Sequence, residues 1–113
     1  MDATLNKDSK VNESLEKMKS LNTTTLPIIG ETGIICGIFS QTNCLEKILS
    51  GEISLESKVS ECLESTFRHV DSNDTVGKAA RIIQNNGYVF VVDNGKYGCT
   101  LHRNDIFEFI SKN

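Results

Sequence analysis

Gly33-Ile34-Ile35-Cys36-Gly37-Ile38-Phe39-Ser40-Gln41-Thr42-Asn43-Cys44-Leu45-Glu46-Lys47-Ile48 lines up without a gap on Gly95-Lys96-Tyr97-Gly98-Cys99-Thr100-Leu101-His102-Arg103-Asn104-Asp105-Ile106-Phe107-Glu108-Phe109-Ile110. The offset is 62 from the first pair (33 to 95) to the last (48 to 110). Just upstream, Pro27-Ile28-Ile29 lines up on Phe90-Val91-Val92 at an offset of 63 (27 to 90), so the intervening turn is one residue shorter in the second copy. A sequence that repeats itself repeats a structural unit. Each copy reads as βαββα, and half of a 113-residue chain is too small to bury its own apolar faces. The expectation is a single α/β (α+β) domain. It consists of two βαββα motifs packed with pseudo-two-fold symmetry, about residues 1–52 and 53–113.

Working outward, Ala3 to Leu5 reads as a short edge strand. Asp8 or Ser9 is placed to cap a helix with apolar positions Val11, Leu15 and Met18. Pro27 cannot donate to a ladder, so it belongs at the start or edge of the strand through Ile29. Gly30 to Gly33 is a hairpin turn, and Ile34 to Phe39 is an apolar strand of the kind covered on both faces. A helix over Asn43 to Leu49 ends before Gly51. Ile53 to Val59 is a connector and Val59 to Cys62 a helical turn. The second copy reads as a strand at Phe67 to Val70, a helix capped by Asp74 or Thr75 and ended by Gly87, and a strand at Tyr88 to Val92. Asp93-Asn94-Gly95 is a tight turn, followed by a strand at Tyr97 to Leu101 and a last helix opened by Asp105.

Composition excludes several classes. Net charge is −3 with no basic stripe, which argues against nucleic acid. No apolar run approaches the ~20 residues of a membrane span, and the polar start is not a signal peptide. The four cysteines (Cys36, Cys44, Cys62, Cys99) contain no C-x-x-C. They read as buried free thiols of a cytoplasmic protein, ahead of a disulfide or a zinc site. No nucleophile–base pair or Gly-rich phosphate loop is present, so the chain reads as a non-catalytic sensor and not an enzyme.

An apolar strand ending Val91-Val92-Asp93, a turn, a Gly-containing strand and a polar residue three before an Asp resembles the cystathionine-β-synthase-type (CBS) domain. Two tandem copies resemble a Bateman module. Three stretches resemble the C-terminal regulatory domain of eukaryotic cystathionine β-synthases more closely. They are Leu26 to Asn43, where the usual Asp is Asn43; Leu49-Ser50-Gly51-Glu52-Ile53 into Lys58-Val59; and Asp74 to Ile83. The resemblance implies an allosteric module of an enzyme of transsulfuration, which makes cysteine from homocysteine and serine. Its partners would be a homodimeric copy and a catalytic domain that carries pyridoxal phosphate elsewhere. This chain itself would hold no cofactor, only S-adenosylmethionine or an adenine nucleotide as effector.

The same resemblance implies two adenosyl clefts. The first would use Thr23, Thr24, Thr25 and Leu26 with Thr100, His102, Asn104 and Asp105. The second would use Ser40, Thr42 and Asn43 with Tyr88, Val89 and Phe90. The chemistry is plain: vicinal ribose hydroxyls are two donors and a carboxylate is a bidentate acceptor. Each residue also has a structural reading. Asp105 and Asn43 suit helix caps, Tyr88 suits a core edge, and His102 suits a surface position where the family has Thr or Ser. Leu26 and the three threonines stand where the S-adenosylmethionine-binding relatives carry an aromatic and a small residue. An interaction module that senses nothing, and a free-standing adenine-nucleotide sensor, are the alternative functions. Self-association is expected through the helices around Leu45 to Leu49 and Phe107 to Ile110.

Overall fold

The computed structural model describes residues 3–112. In chain order its elements are α1 (Val11–Leu21), β1 (Thr25–Ile29), β2 (Ile35–Ser40), α2 (Gln41–Leu49), a 3₁₀ turn (Val59–Cys62), β3 (His69–Asp71), α3 (Val76–Asn86), β4 (Tyr88–Asp93), β5 (Lys96–His102) and α4 (Arg103–Lys112). The mixed α+β class expected from the repeat is what forms. Packing divides the chain into two compact units, Met1–Phe67 and Arg68–Asn113.

The internal repeat survives at the level of strand register. In the first unit, β1 and β2 pair antiparallel as Thr25↔Ser40, Leu26↔Phe39, Pro27↔Ile38, Ile28↔Gly37 and Ile29↔Ile35. In the second, β4 and β5 pair as Tyr88↔His102, Val89↔Leu101, Phe90↔Thr100, Val91↔Cys99 and Val92↔Tyr97. Every pair maps onto its counterpart at the 63- and 62-residue offsets. Both ladders break register at the same place, between Ile28 and Ile29 and between Val91 and Val92. A β-bulge leaves one residue unpaired and bends its strand; here the extra residues are Cys36 and Gly98. The parallel strand that precedes each hairpin also corresponds: Leu5 bridges Ile28, and Val70 pairs with Val91. The strand expected at Ala3 to Leu5 is reduced to that one bridge.

In the first unit Leu5, Val11, Met18, Leu26, Ile28, Phe39, Cys44, Ile53, Val59 and Cys62 form one buried cluster. The segment after α2 is part of this core. Val11 N–H donates to the Ser57 carbonyl (2.8 Å), and Val59 N–H to the Ser9 carbonyl (2.8 Å). Further on, Ile38 and Glu64 exchange backbone hydrogen bonds of 2.8 and 3.0 Å. Gly37 makes that approach possible. A Cβ there would sit 2.5 Å from the Glu64 carbonyl oxygen and 2.5 Å from a Leu63 methyl carbon. In the second unit Val70, Ala79, Ile83 and Val89 form the core beneath α3.

Several local expectations are corrected. α1 is preceded by Lys10, which makes no side-chain cap. Ser9 Oγ instead accepts from Asn6 N–H at 3.1 Å, so it stabilises the loop before the helix. β2 begins at Ile35; Ile34, just ahead of it, makes only a bridge and is 52% exposed. Cys44 and Cys62 are buried, but Cys36, the bulge residue of β2, is half-buried, and Cys99 is exposed on the edge strand β5. Thr75, not Asp74, caps α3, accepting from Lys78 N–H at 3.1 Å. Gly87 ends that helix at φ +88°, a conformation glycine adopts freely. Asn94 and Gly95, at φ +51° and +79°, make the expected tight turn.

Candidate functional site

In each unit the residues singled out by sequence gather at one corner, where the hairpin ends and a helix begins. In the first unit Thr25 lies opposite Ser40 in the ladder, and Ser40 is the N-cap of α2. Its Oγ accepts from Asn43 N–H at 3.2 Å, as an N-cap serine should. Thr24 reaches the same corner through its backbone, its carbonyl accepting from Gln41 N–H at 2.9 Å. Thr23 Oγ1 donates to the Thr25 carbonyl at 3.1 Å. Leu26 turns into the core and is 2% exposed, so its side chain serves packing. Thr42 is exposed on the first turn of α2.

In the second unit Tyr88 lies opposite His102, the residue immediately before α4. Asp105 does not open that helix, as the sequence suggests; it is the third helical residue. Its Oδ2 accepts from His102 N–H at 2.7 Å, so the carboxylate reaches back to cap the residue before the helix. His102 Nδ1 stands 3.8 Å from the same oxygen. Both side chains are about half exposed, at 51% and 45%. Among the described residues no protein donor is found for Oδ1 of Asp105. Asn104 is exposed on the same turn. Thr100 shares a 2.9 Å hydrogen bond between its hydroxyl and that of Tyr97. Val89 and Phe90 are fully buried, and the Tyr88 and Phe90 rings pack at 5.2 Å.

The two corners are chemically unequal. α2 has no acidic residue in its first turn, whereas α4 has Asp105. Sequence reading missed Glu64, which belongs to the first corner: Ser40 Oγ donates to Glu64 Oε1 at 2.6 Å. Asn43 Nδ2 donates to the Cys62 carbonyl at 2.9 Å. No local motif signals either contact, because residues 62–64 reach α2 through tertiary packing of Cys62 and the pairing of Glu64 with Ile38. Among the described residues no group of His, Cys, Asp or Glu could hold a metal ion, and no helix is long and apolar enough to cross a membrane.

The comparisons with known proteins agree with the register repeat. The chain is 29% identical to rabbit (Oryctolagus cuniculus) cystathionine beta-synthase over 66 residues, 58% of this chain and 12% of that enzyme. The rat and mouse enzymes match at 27% over the same length. The chain thus spans about an eighth of the curated relatives it matches. Among solved structures, a hypothetical conserved protein from Geobacillus kaustophilus superposes with a TM-score of 0.86 at 21% identity, covering 97% of this chain and 87% of that one. A putative acetoin utilization protein from Vibrio cholerae gives 0.84 at 20%, covering 96% and 82%. CbpB, solved in complex with c-di-AMP, gives 0.82 at 12%, covering 97% and 77%. These structures share the fold. The CBS domain model itself matches twice, at residues 2–50 and 59–112. The chain belongs to the CBS-domain family, whose tandem pairs are regulatory, ligand-binding and non-catalytic modules.

Proposed function

We propose that this module senses an adenosine-containing ligand, S-adenosylmethionine first among the candidates, on behalf of a cystathionine β-synthase-type enzyme. The partial identity to the mammalian enzymes supports the choice of parent. The pyridoxal-phosphate chemistry would belong to that parent's separate catalytic domain. Asp105 carries the ligand reading: it is half exposed, one oxygen is engaged by a backbone N–H, and the other is open to a donor. Two vicinal ribose hydroxyls are suitable donors, and hydrogen bonds to a charged acceptor are the stronger kind. Tyr88 and His102 flank that helix start.

The test is calorimetric titration with S-adenosylmethionine, AMP and ATP, with melting followed in parallel. Asp105→Ala should weaken binding tenfold to more than a hundredfold, the equivalent of about 1.5–3 kcal/mol in charge-assisted hydrogen bonds. Stability should fall by only about 0.5–2 kcal/mol through the lost cap. A ligand that prefers the folded state must raise its apparent stability. A wild-type melting temperature unmoved by all three ligands would therefore favour the second reading, an interaction module. That reading has its own support, since Leu45 and Leu49 on α2 and Phe107, Phe109 and Ile110 on α4 are all exposed.

A further inference from the structure

The starts of α2 and α4 correspond residue for residue, Ser40 with His102 and Asn43 with Asp105, yet only one of them is already filled. We propose that Glu64 is a built-in occupant of the Ser40–Asn43 position, holding it closed to an anionic nucleotide and leaving the Asp105 position to take the ligand. The second half of that statement rests on the ligand-sensing reading above; the first does not.

Three observations carry it. The hydroxyl proton of Ser40 is committed to Glu64 Oε1 at 2.6 Å while its oxygen accepts from Asn43 N–H, so the serine has no donor left for a ligand. One of the two Asn43 amide N–H donors is committed to the Cys62 carbonyl at 2.9 Å. The carboxylate is also delivered by backbone and not by a wandering side chain. Glu64 exchanges two hydrogen bonds with Ile38, over a glycine whose replacement by any larger residue would collide with it.

Electrostatics point the same way. The exposed N–H groups of a helix start favour a nearby anion. α4 carries its own in Asp105, whereas α2 has none in its first turn and receives Glu64 from outside. Among the described residues the second unit has no equivalent cover. Cys99 stands where Gly37 does and is exposed, β5 is the edge of its sheet, and Thr100, the counterpart of Ile38, has no strand beyond it.

The experiment is calorimetric titration of AMP into wild type, Glu64→Ala and Glu64→Ala/Asn43→Ala, with circular dichroism to confirm folding. Glu64→Ala should bind one more AMP per chain than wild type, and the added Asn43→Ala change should remove that extra site. No extra site in Glu64→Ala overturns the proposal, as does wild type that loses AMP binding on Asn43→Ala alone. Wild type that binds nothing, with Glu64→Ala binding one AMP, would leave Glu64 as the occupant and sink the ligand-sensing reading instead. If Glu64→Ala fails to fold, Glu64→Ser is the variant to titrate, since it keeps a polar side chain beside the Ile38 pairing but is too short to reach Ser40. An Asn43-dependent AMP site is then expected to become measurable, and its absence refutes the proposal.

Discussion

Replacing Gly37 by alanine adds one methyl group at the point where the chain passes closest to itself. The new Cβ would lie 2.5 Å from the Glu64 carbonyl oxygen and 2.5 and 2.7 Å from two Leu63 side-chain carbons. Leu63 can turn away, but the carbonyl belongs to backbone held by the two Ile38–Glu64 hydrogen bonds of 2.8 and 3.0 Å. Overpacking a fitted core costs about 1–3 kcal/mol. Each backbone hydrogen bond given up to relieve it costs about 0.5–1.5 kcal/mol more. We expect a loss of roughly 3 kcal/mol, which for a chain of this size lowers the melting temperature by on the order of 10 °C. Gly51→Ala is the control. That glycine has φ +81°, and a Cβ added there would meet nothing within 4 Å, so the change brings only left-handed backbone strain of about 1 kcal/mol. Thermal melting by circular dichroism compares the two. Gly37→Ala melting within about 3 °C of wild type, or no lower than Gly51→Ala, would refute the argument from close approach.

Three further outcomes are expected. Burial, with a smaller push from Cys44, raises the Cys62 thiol to about 11 from 9.0, and burial raises Cys44 as well. Native protein at pH 8 should therefore be alkylated by iodoacetamide at Cys99 and Cys36, with Cys44 and Cys62 reacting only on unfolding; early labelling of Cys62, read by mass spectrometry, would contradict this. The same shift has a sign in stability. The folded state keeps a thiol proton that the unfolded state releases, so the contribution is complete below pH 9 and is lost as pH rises towards 11. Wild type should lose more stability than Cys62→Ala across that window in urea titrations. Self-association through Leu45, Leu49, Phe107, Phe109 and Ile110 predicts a dimer in sedimentation at micromolar concentration, shifted to monomer by Leu49→Asp; a 12.5 kDa species alone in wild type rules this face out.

Much of this molecule is written locally. The 62- and 63-residue offsets foretell the paired ladders, the shorter second turn and the mixed α+β class, because hairpin register follows from alternation and turn chemistry that neighbouring residues supply. The caps are legible to within a few residues. Thr75 is a small hydroxyl residue before an apolar period and Gly87 sits at a helix end, whereas the cap of α2 is Ser40 and not Asn43, three residues on. Lys10 is not legible, because α1 is started by backbone pairing with residues 55–59 and not by a side-chain cap. The candidate site divides in the same way. Asp105 and its tie to His102 lie three residues apart, within reach of sequence reasoning.

Only the tertiary structure decided where residues 53–67 belong and what they do there. By sequence, residues from 59 onward match the second CBS domain, yet Val59 and Cys62 pack in the core of the first unit and Glu64 pairs with Ile38. That pairing brings a carboxylate onto Ser40 from 24 residues away and makes Gly37 necessary. The physical reason is that a strand's outer edge is a row of generic backbone donors and acceptors. Which segment fills it is set by chain path and by the absence of a side chain at one position, and neither has a local signature. Among the described residues β5 has no such partner: it is the edge of its sheet, with Cys99 in the place of Gly37.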